Sequence, residues 1–274
     1  MRGIFAAGVL DAFHEADFDP FSIYYGVSAG ACNLSSHLAR QYRRNYRIFT
    51  DQMVRPGFIS KKNYLRGGHL LDLDWLWKTL EKEDPLDTSA VIRNLKRKKR
   101  EFVIVATSIE SGAPLYLTPD ETNLWHLLKV SSSIPVLYRN FLRVNSGHAT
   151  DGGIADPIPV VEAYRRGART IFVIRSRVAE YVKKRGLEAT LSSFYLRKYR
   201  ALSDAVRRQA VIYREAVEFI NAPPRDARII HIAPTEPLLT TRTGQVRDHL
   251  ERDYARGVET GRTAMATMRE IHNL

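Results

Sequence analysis

Two short stretches carry residue types that could do nucleophilic chemistry. The first is Gly26-Val27-Ser28-Ala29-Gly30, a G-x-S-x-G. Before it, "SIYYGV" contains the strand formers Ile, Tyr and Val; after it, Ala31, Leu34 and Leu38 recur at helical spacing. A strand–turn–helix of this kind would lift the Ser28 hydroxyl above a sheet, with Gly26 and Gly30 letting the chains pass. The N-terminus of the following helix would add positive potential where an oxyanion forms. A strand end with a Ser N-cap and incidental glycines has the same local pattern.

A serine hydroxyl is a poor nucleophile unless a base takes its proton. The second stretch, "HATDGGIADPIPV" from His148 to Val160, offers Asp151 ahead of Gly152 and Gly153. Asp-Gly also favours tight turns, so Asp151 reads either as a base held against another backbone or as a turn residue. At an ordinary pKa of about 3.9 it is a weak base at pH 7, and burial would raise it. Asp156 reads as part of a helix entry, and His148 as a surface residue. Cys32 is the only cysteine, so no intrachain disulfide and no Cys-based metal cluster is expected. We read it as buried packing, and expect no cofactor.

Strand-like runs alternate with helical ones. Expected strands are Ser22–Val27, Glu101–Thr107, Leu115–Leu117, Phe141–Val144, Thr170–Arg175 and Arg228–Ala233. "EFVIVAT", "TIFVIRS" and "RIIHIA" are near-continuous apolar runs, as in strands buried on both faces of a parallel sheet. Expected helices are Gly3–Ala16, Ala29–Asp51, Leu73–Leu80, Thr88–Lys96, Thr122–Ser131, Pro159–Arg166, Leu187–Ile220 (or two pieces of it) and Val246–Ile271. The alternation predicts an α/β fold: a three-layer α/β/α sandwich around a mostly parallel central sheet. Val54–Asp87 has little periodicity and reads as an insertion over a site.

The net charge is +12, from 42 Lys+Arg against 30 Asp+Glu. Such an excess favours polyanionic surfaces. No nucleic-acid module is visible, so nucleic acid is not expected and peripheral contact with an anionic membrane is. "KRKKR" (Lys96 to Arg100) and "RQYRRNYR" (Arg40 to Arg47) read as a solvated loop and a solvated helix face. No apolar run reaches the ~18 residues of a transmembrane helix. Asp11 and Glu15 follow the apolar start too closely for a signal peptide. The expected location is cytoplasmic, at most peripheral on the inner membrane face.

Taken together, the chain resembles the patatin-like phospholipases. "GVSAGA" and "DGGIADPIPV" resemble that family's serine and aspartate blocks, "VSSSIPVLYRN" a Ser-rich block between them, and "MRGIFAAGVLDAF" its first block. The likeness runs from Met1 to about Arg175 and is loose beyond. It implies a single patatin-like domain over 1–274, with an insertion at about 54–87 and a C-terminal helical portion at about 187–274. It also implies acyl-ester hydrolysis of lipids through an acyl-enzyme, without metal. Carried over residue by residue, Ser28 is the nucleophile and Asp151 the base that takes its proton directly. Arg2 and Gly3 end the oxyanion loop, and Ala29 follows the nucleophile into the hole. The family's first block normally reads G-G-G-x-R/K-G after a strand, whereas this chain begins Met1-Arg2-Gly3. We therefore expect a short natural segment upstream, and weak or absent activity without it.

Two other readings stay open at this level. One is an α/β-hydrolase esterase in which His231 or His249 completes a Ser-Asp-His triad. The other is a non-catalytic member that uses its basic surface on membranes.

Overall fold

The computed structural model describes residues 1–145, 147–183 and 192–272. It contains α1 (Gly3–Glu15), β1 (Ile23–Val27), α2 (Ala29–Leu38), α3 (Arg44–Arg47), α4 (Lys61–Leu65), α5 (Leu73–Glu83) and α6 (Thr88–Arg97). Next come β2 (Glu101–Ser108), β3 (Pro114–Leu117), α7 (Leu124–Ser132), β4 (Leu142–Val144) and β5 (Gly147–Asp151). The chain continues with α8 (Val160–Arg165), β6 (Thr170–Ile174), α9 (Arg200–Asn221), β7 (Arg228–Ile232) and α10 (Arg247–His272).

The expected α/β class is what forms. β1 pairs with β2, and β6 with β7, in parallel, each pair joined through helices. β3 and the β4–β5 hairpin extend the β1–β2 sheet through antiparallel pairings. The layering follows from strand alternation. Tyr24 points into an apolar cluster with Ala31 and Leu38 of α2 and Leu95 of α6. Tyr25, its neighbour, packs into a cluster with Ala163 of α8 and Val217 of α9. Two helical layers therefore cover opposite faces of the sheet.

Three expectations need correction. The helix expected over Ala29–Asp51 breaks after Leu38. Arg40 and Arg43 adopt left-handed φ of 60° and 55°, which a continuous helix does not allow. A one-turn α3 and a π-helical turn at Ile48–Gln52 follow the break. Arg44, expected on a solvated face, is buried, and its guanidinium donates to Ser36 Oγ and the Asp84 carbonyl. Burial lowers its pKa to about 10. Lastly, Gly147–Asp151 is a strand that was not expected, and the turn expected at Asp151 follows it at residues 152–155.

Of the helix expected over Leu187–Ile220, residues 184–191 lie outside the described residues, 192–195 are helical, a turn follows at 196–198, and α9 begins at Arg200, so the described part is in two pieces. α10 runs along α1 at backbone contact distance. A Cβ on Gly8 would overlap the Tyr254 carbonyl oxygen, and one on Gly257 the Phe5 carbonyl oxygen. A Cβ on Gly261 would lie 2.9 Å from Val9 O and 3.0 Å from Ala12 Cβ. The C-terminal helix is thus held to the helix that starts at Gly3. Among the described residues, no helix is long and apolar enough to cross a membrane.

Candidate active site

Ser28 and Asp151 become neighbours through the register of β2. β3 pairs with residues 104–107 of β2, so it occupies one edge of that strand. β1 and β5 share the other edge. β1 runs parallel and ends with Val27 opposite Val105; β5 runs antiparallel and ends with Asp151 opposite Ala106. The two strands meet head to head, so the residue after Val27 arrives beside Asp151.

The backbone at Ser28 is unusual. Its φ is 53° and its ψ −127°, a region that L-residues avoid. Ser28 precedes α2, but its side chain makes no cap hydrogen bond, and its φ is not that of an N-cap. The N-cap reading therefore fails. Gly26 is required, because a Cβ there would lie 2.5 Å from Ala31 Cα. Gly30 is not: a Cβ there would meet nothing within 4 Å, contrary to the expectation that both glycines let chains pass.

The Asp151 turn is fixed from several sides. Gly152 crosses β2 so closely that a Cβ would overlap the Val105 carbonyl oxygen. Thr107 Oγ1 donates to the Asp151 carbonyl at 2.8 Å. The Gly153 N–H donates to Asp151 Oδ1 at 2.7 Å. Oδ2 is buried with no hydrogen-bond partner. The Ser28 hydroxyl interacts with the carboxylate and opposes part of the effect of its burial. Burial pushes the Asp151 pKa up to about 6, against smaller opposing effects of Ser28, the Gly153 N–H, Arg242 and Lys183.

The Ser-rich segment ties the two stretches together. The Ser28 N–H donates to Ser131 Oγ at 2.8 Å, and Ser131 Oγ donates to the Val105 carbonyl at 2.7 Å. The Ser133 carbonyl accepts from the Asp151 N–H at 3.2 Å and from Thr150 Oγ1 at 2.5 Å. From the sequence alone, no residue of this segment has an assigned role. Its only signal was the run of serines ending α7.

The starts of α1 and α2 converge here. A Cβ on Gly3 would lie 2.9 Å from Ala29 Cβ, and Asn33 Nδ2 donates to the Gly3 carbonyl at 2.8 Å. First-turn N–H groups have no intrahelical acceptor. α1 and α2 have no side-chain cap and no acidic residue in the first turn, a state they share with α3, α7 and α9. The positive ends of α1 and α2 face the space beside Ser28. Arg2 lies among like charges, and burial followed by Arg177 and Arg242 lowers its pKa.

Ser28, Ala29 and Gly3 line a cavity of about 140 Å³. Its walls are mostly apolar, with Ile48, Phe58, Leu73, Leu76, Trp77 and Leu128 among them. Phe58, Leu73, Leu76 and Trp77 belong to the segment expected as an insertion over a site. Cys32 also lines the cavity, with burial pushing its thiol pKa up, which fits packing.

The remaining candidates lie apart. His231 is on β7, with Nε2 3.2 Å from the Arg175 guanidinium, so its ring lone pair is taken. Burial, then Arg175, lowers its pKa. His249 sits in the first turn of α10, and neither histidine lines the cavity. His148 is exposed and its Nδ1 is 3.4 Å from Glu110. Asp156 accepts from Tyr116 Oη at 2.7 Å.

Comparisons with known proteins bear on the family to which the chain belongs. A family model described as patatin-like phospholipase matches residues 1–164. A second, described as a domain of unknown function, matches residues 199–273. The Escherichia coli (strain K12) protein YjjU is 35% identical over 274 residues, covering 98% of this chain and 76% of the relative. VipD from Legionella pneumophila aligns in structure with 97% of this chain at a TM-score of 0.47 and 15% identity. The chain spans 65% of that protein's length. On the family match over more than half of its length and the 35% identity to a relative along nearly all of it, the chain belongs to the patatin-like phospholipase family.

Proposed function

We propose that this protein hydrolyses acyl esters of lipids through an acyl-enzyme on Ser28, with Asp151 as the direct base. The observation that carries the reading is the β2 register, which ends β1 and β5 against consecutive residues, Val105 and Ala106. Ionised above about pH 6, Asp151 takes the Ser28 proton as Oγ attacks the ester carbonyl. The oxyanion then meets first-turn N–H groups at Ala29 and Gly3, where both helix dipoles favour negative charge. Arg2 adds positive potential. The alcohol leaves with the proton from Asp151. Water next attacks the acyl-enzyme as Asp151 accepts its proton; the bond to Oγ then breaks, Asp151 returns the proton to Ser28, and the carboxylic acid leaves.

The acyl chain would lie in the apolar cavity. At about 140 Å³ it resembles a cavity that holds benzene, so roughly six carbons fit without rearrangement. We read the C-terminal helical portion as part of the same unit, because α10 packs along the helix that carries Gly3.

A fluorophosphonate probe tests this reading. It should label the protein, and labelling should vanish in Ser28→Ala. For a short-chain ester, kcat/KM should rise about tenfold per pH unit below about 6 and level off above, as expected of one ionising base. His231→Ala and His249→Ala should keep full activity. A folded protein that neither labels nor hydrolyses any ester would overturn it in favour of a binding protein.

A further inference from the structure

Four aromatic side chains among the described residues are exposed, and three of them fall within six positions: Phe194, Tyr195 and Tyr199, at 65%, 55% and 44% exposure. Exposed large apolar groups scattered singly are ordinary; a cluster marks a contact surface. Arg197, Lys198 and Arg200, all exposed, alternate with them, and residues 192–200 contain no acidic residue. Arg197 sits over the Phe194 ring at 4.6 Å yet leaves that ring mostly open.

The segment is anchored by several contacts. Leu196 is buried with Ile109, Leu202 and Ile154. Arg207 Nε donates to Ser193 Oγ at 2.7 Å, and Ser203 Oγ to the Ser193 carbonyl at 2.9 Å. Main-chain bonds from Leu196 N to Ser192 O (2.9 Å) and Tyr199 N to Leu196 O (2.8 Å) close the turns. Leu196 is anchored inward while Phe194, Tyr195 and Tyr199 are exposed. Tyr199 also meets Phe141 edge-on, with centroids 4.8 Å apart. Ile154, in the same cluster as Leu196, lies three residues from Asp151, so the patch is mechanically joined to the candidate site.

We propose that residues 192–200 are an interfacial anchor that docks this protein on an anionic lipid bilayer. Aromatic rings settle at the headgroup level, and neighbouring cations meet the negative lipid surface. The occupant follows from charge: three cations and no acid in nine residues, on a chain of net charge +12, complement a polyanionic sheet. No segment of this patch is needed for the chemistry at Ser28, and the proposal stands on binding, independently of whether esters are cleaved.

Vesicle flotation of the full chain tests it. Wild type should float with vesicles containing phosphatidylglycerol, weakly with pure phosphatidylcholine, and detach at high salt. Each basic residue near such a surface is worth about fivefold in partition. Arg197→Gln/Lys198→Gln should therefore weaken binding by about 25-fold. Phe194→Ser/Tyr195→Ser should weaken it by at least about tenfold, from the lost apolar burial. Leu65→Ser, at another exposed apolar site, should bind as wild type. All variants should hydrolyse a soluble short-chain ester at the wild-type rate if the wild type does so. Binding that survives high salt, or variants that float as well as wild type, would overturn the anchor. So would wild type that ignores anionic vesicles but self-associates through Phe194, which would make the patch a protein interface. A wild type that floats yet cleaves nothing would count against the hydrolase reading alone.

Discussion

The turn at Ser28 and the seam between α1 and α10 both depend on glycine, for different ends. At the turn, Gly26 and Gly152 let two chain reversals press against Ala31 and β2, and the result is tense. Ser28 sits at φ 53°, and Asp151 Oδ2 is buried without a partner. At the seam, Gly8, Gly257 and Gly261 bring two regular helices into backbone contact. Tyr254 Oη donates to Asp11 Oδ2 at 2.8 Å across it. One region holds unfavourable features close to the chemistry; the other joins the chain's two ends. The difference implies that rate and stability can be changed separately.

The largest effect is expected at the seam. Gly257→Val would put side-chain atoms into the Phe5 carbonyl, which is backbone and cannot step aside. The helix gains a little intrinsic propensity, well under 1 kcal/mol, because Gly is the poorest former after Pro. Forcing the helices apart costs more, on the order of 4 kcal/mol, at the high end for overpacking. Urea unfolding should show the loss, while the fraction that remains folded keeps its rate of probe labelling. A variant as stable as wild type would mean that the helices are not in backbone contact.

The turn should behave in the opposite sense. Burial raises the folded pKa of Asp151 from 3.8 to about 6, so the fold prefers the protonated carboxyl. Its contribution to stability is whole below about pH 4 and is lost as pH rises through about 6. At about 1.4 kcal/mol per pKa unit, the loss approaches 3 kcal/mol at pH 8. Asp151→Asn has no such proton to lose. It should be inactive and, relative to wild type, gain up to about 3 kcal/mol between pH 4 and 8. Unfolding the two proteins side by side at both pH values measures that gain, and a constant difference would show that the carboxylate is not strained.

The contrast also marks what could be read from sequence. Ser28 was legible because its evidence is local: a β run, two glycines and a helical repeat within a dozen residues. Its partner was not. Asp151 reaches Ser28 through pairing with Ala106, and Gly147-His148-Ala149-Thr150 has too little β-propensity to announce a strand. Only the resemblance joined the two. The break after Leu38 depends on Arg40 and Arg43 in left-handed conformations that those residue types do not signal. Arg44 looked solvated because two of its three bonds go to a backbone carbonyl 40 residues away. Gly257 passed unmarked because its partner, Phe5, lies at the other end of the chain.

The smallest effect is the most informative about the turn. Ser131 is fully buried and holds the Ser28 N–H on one side and the Val105 carbonyl on the other. In Ser131→Ala both groups lose their partner, at a cost of about 1–2 kcal/mol in stability. If that were all, kcat would not change for the molecules that stay folded. The Ser28 N–H, however, is the group that keeps the strained turn aimed at Asp151. Freed from it, the hydroxyl samples other directions, and kcat should fall about 10- to 100-fold with KM nearly unchanged, as for other losses of positioning. A fall in stability with kcat intact would make Ser131 a core hydrogen bond only, and the tension at Ser28 would then be held by Gly26 and β2 alone.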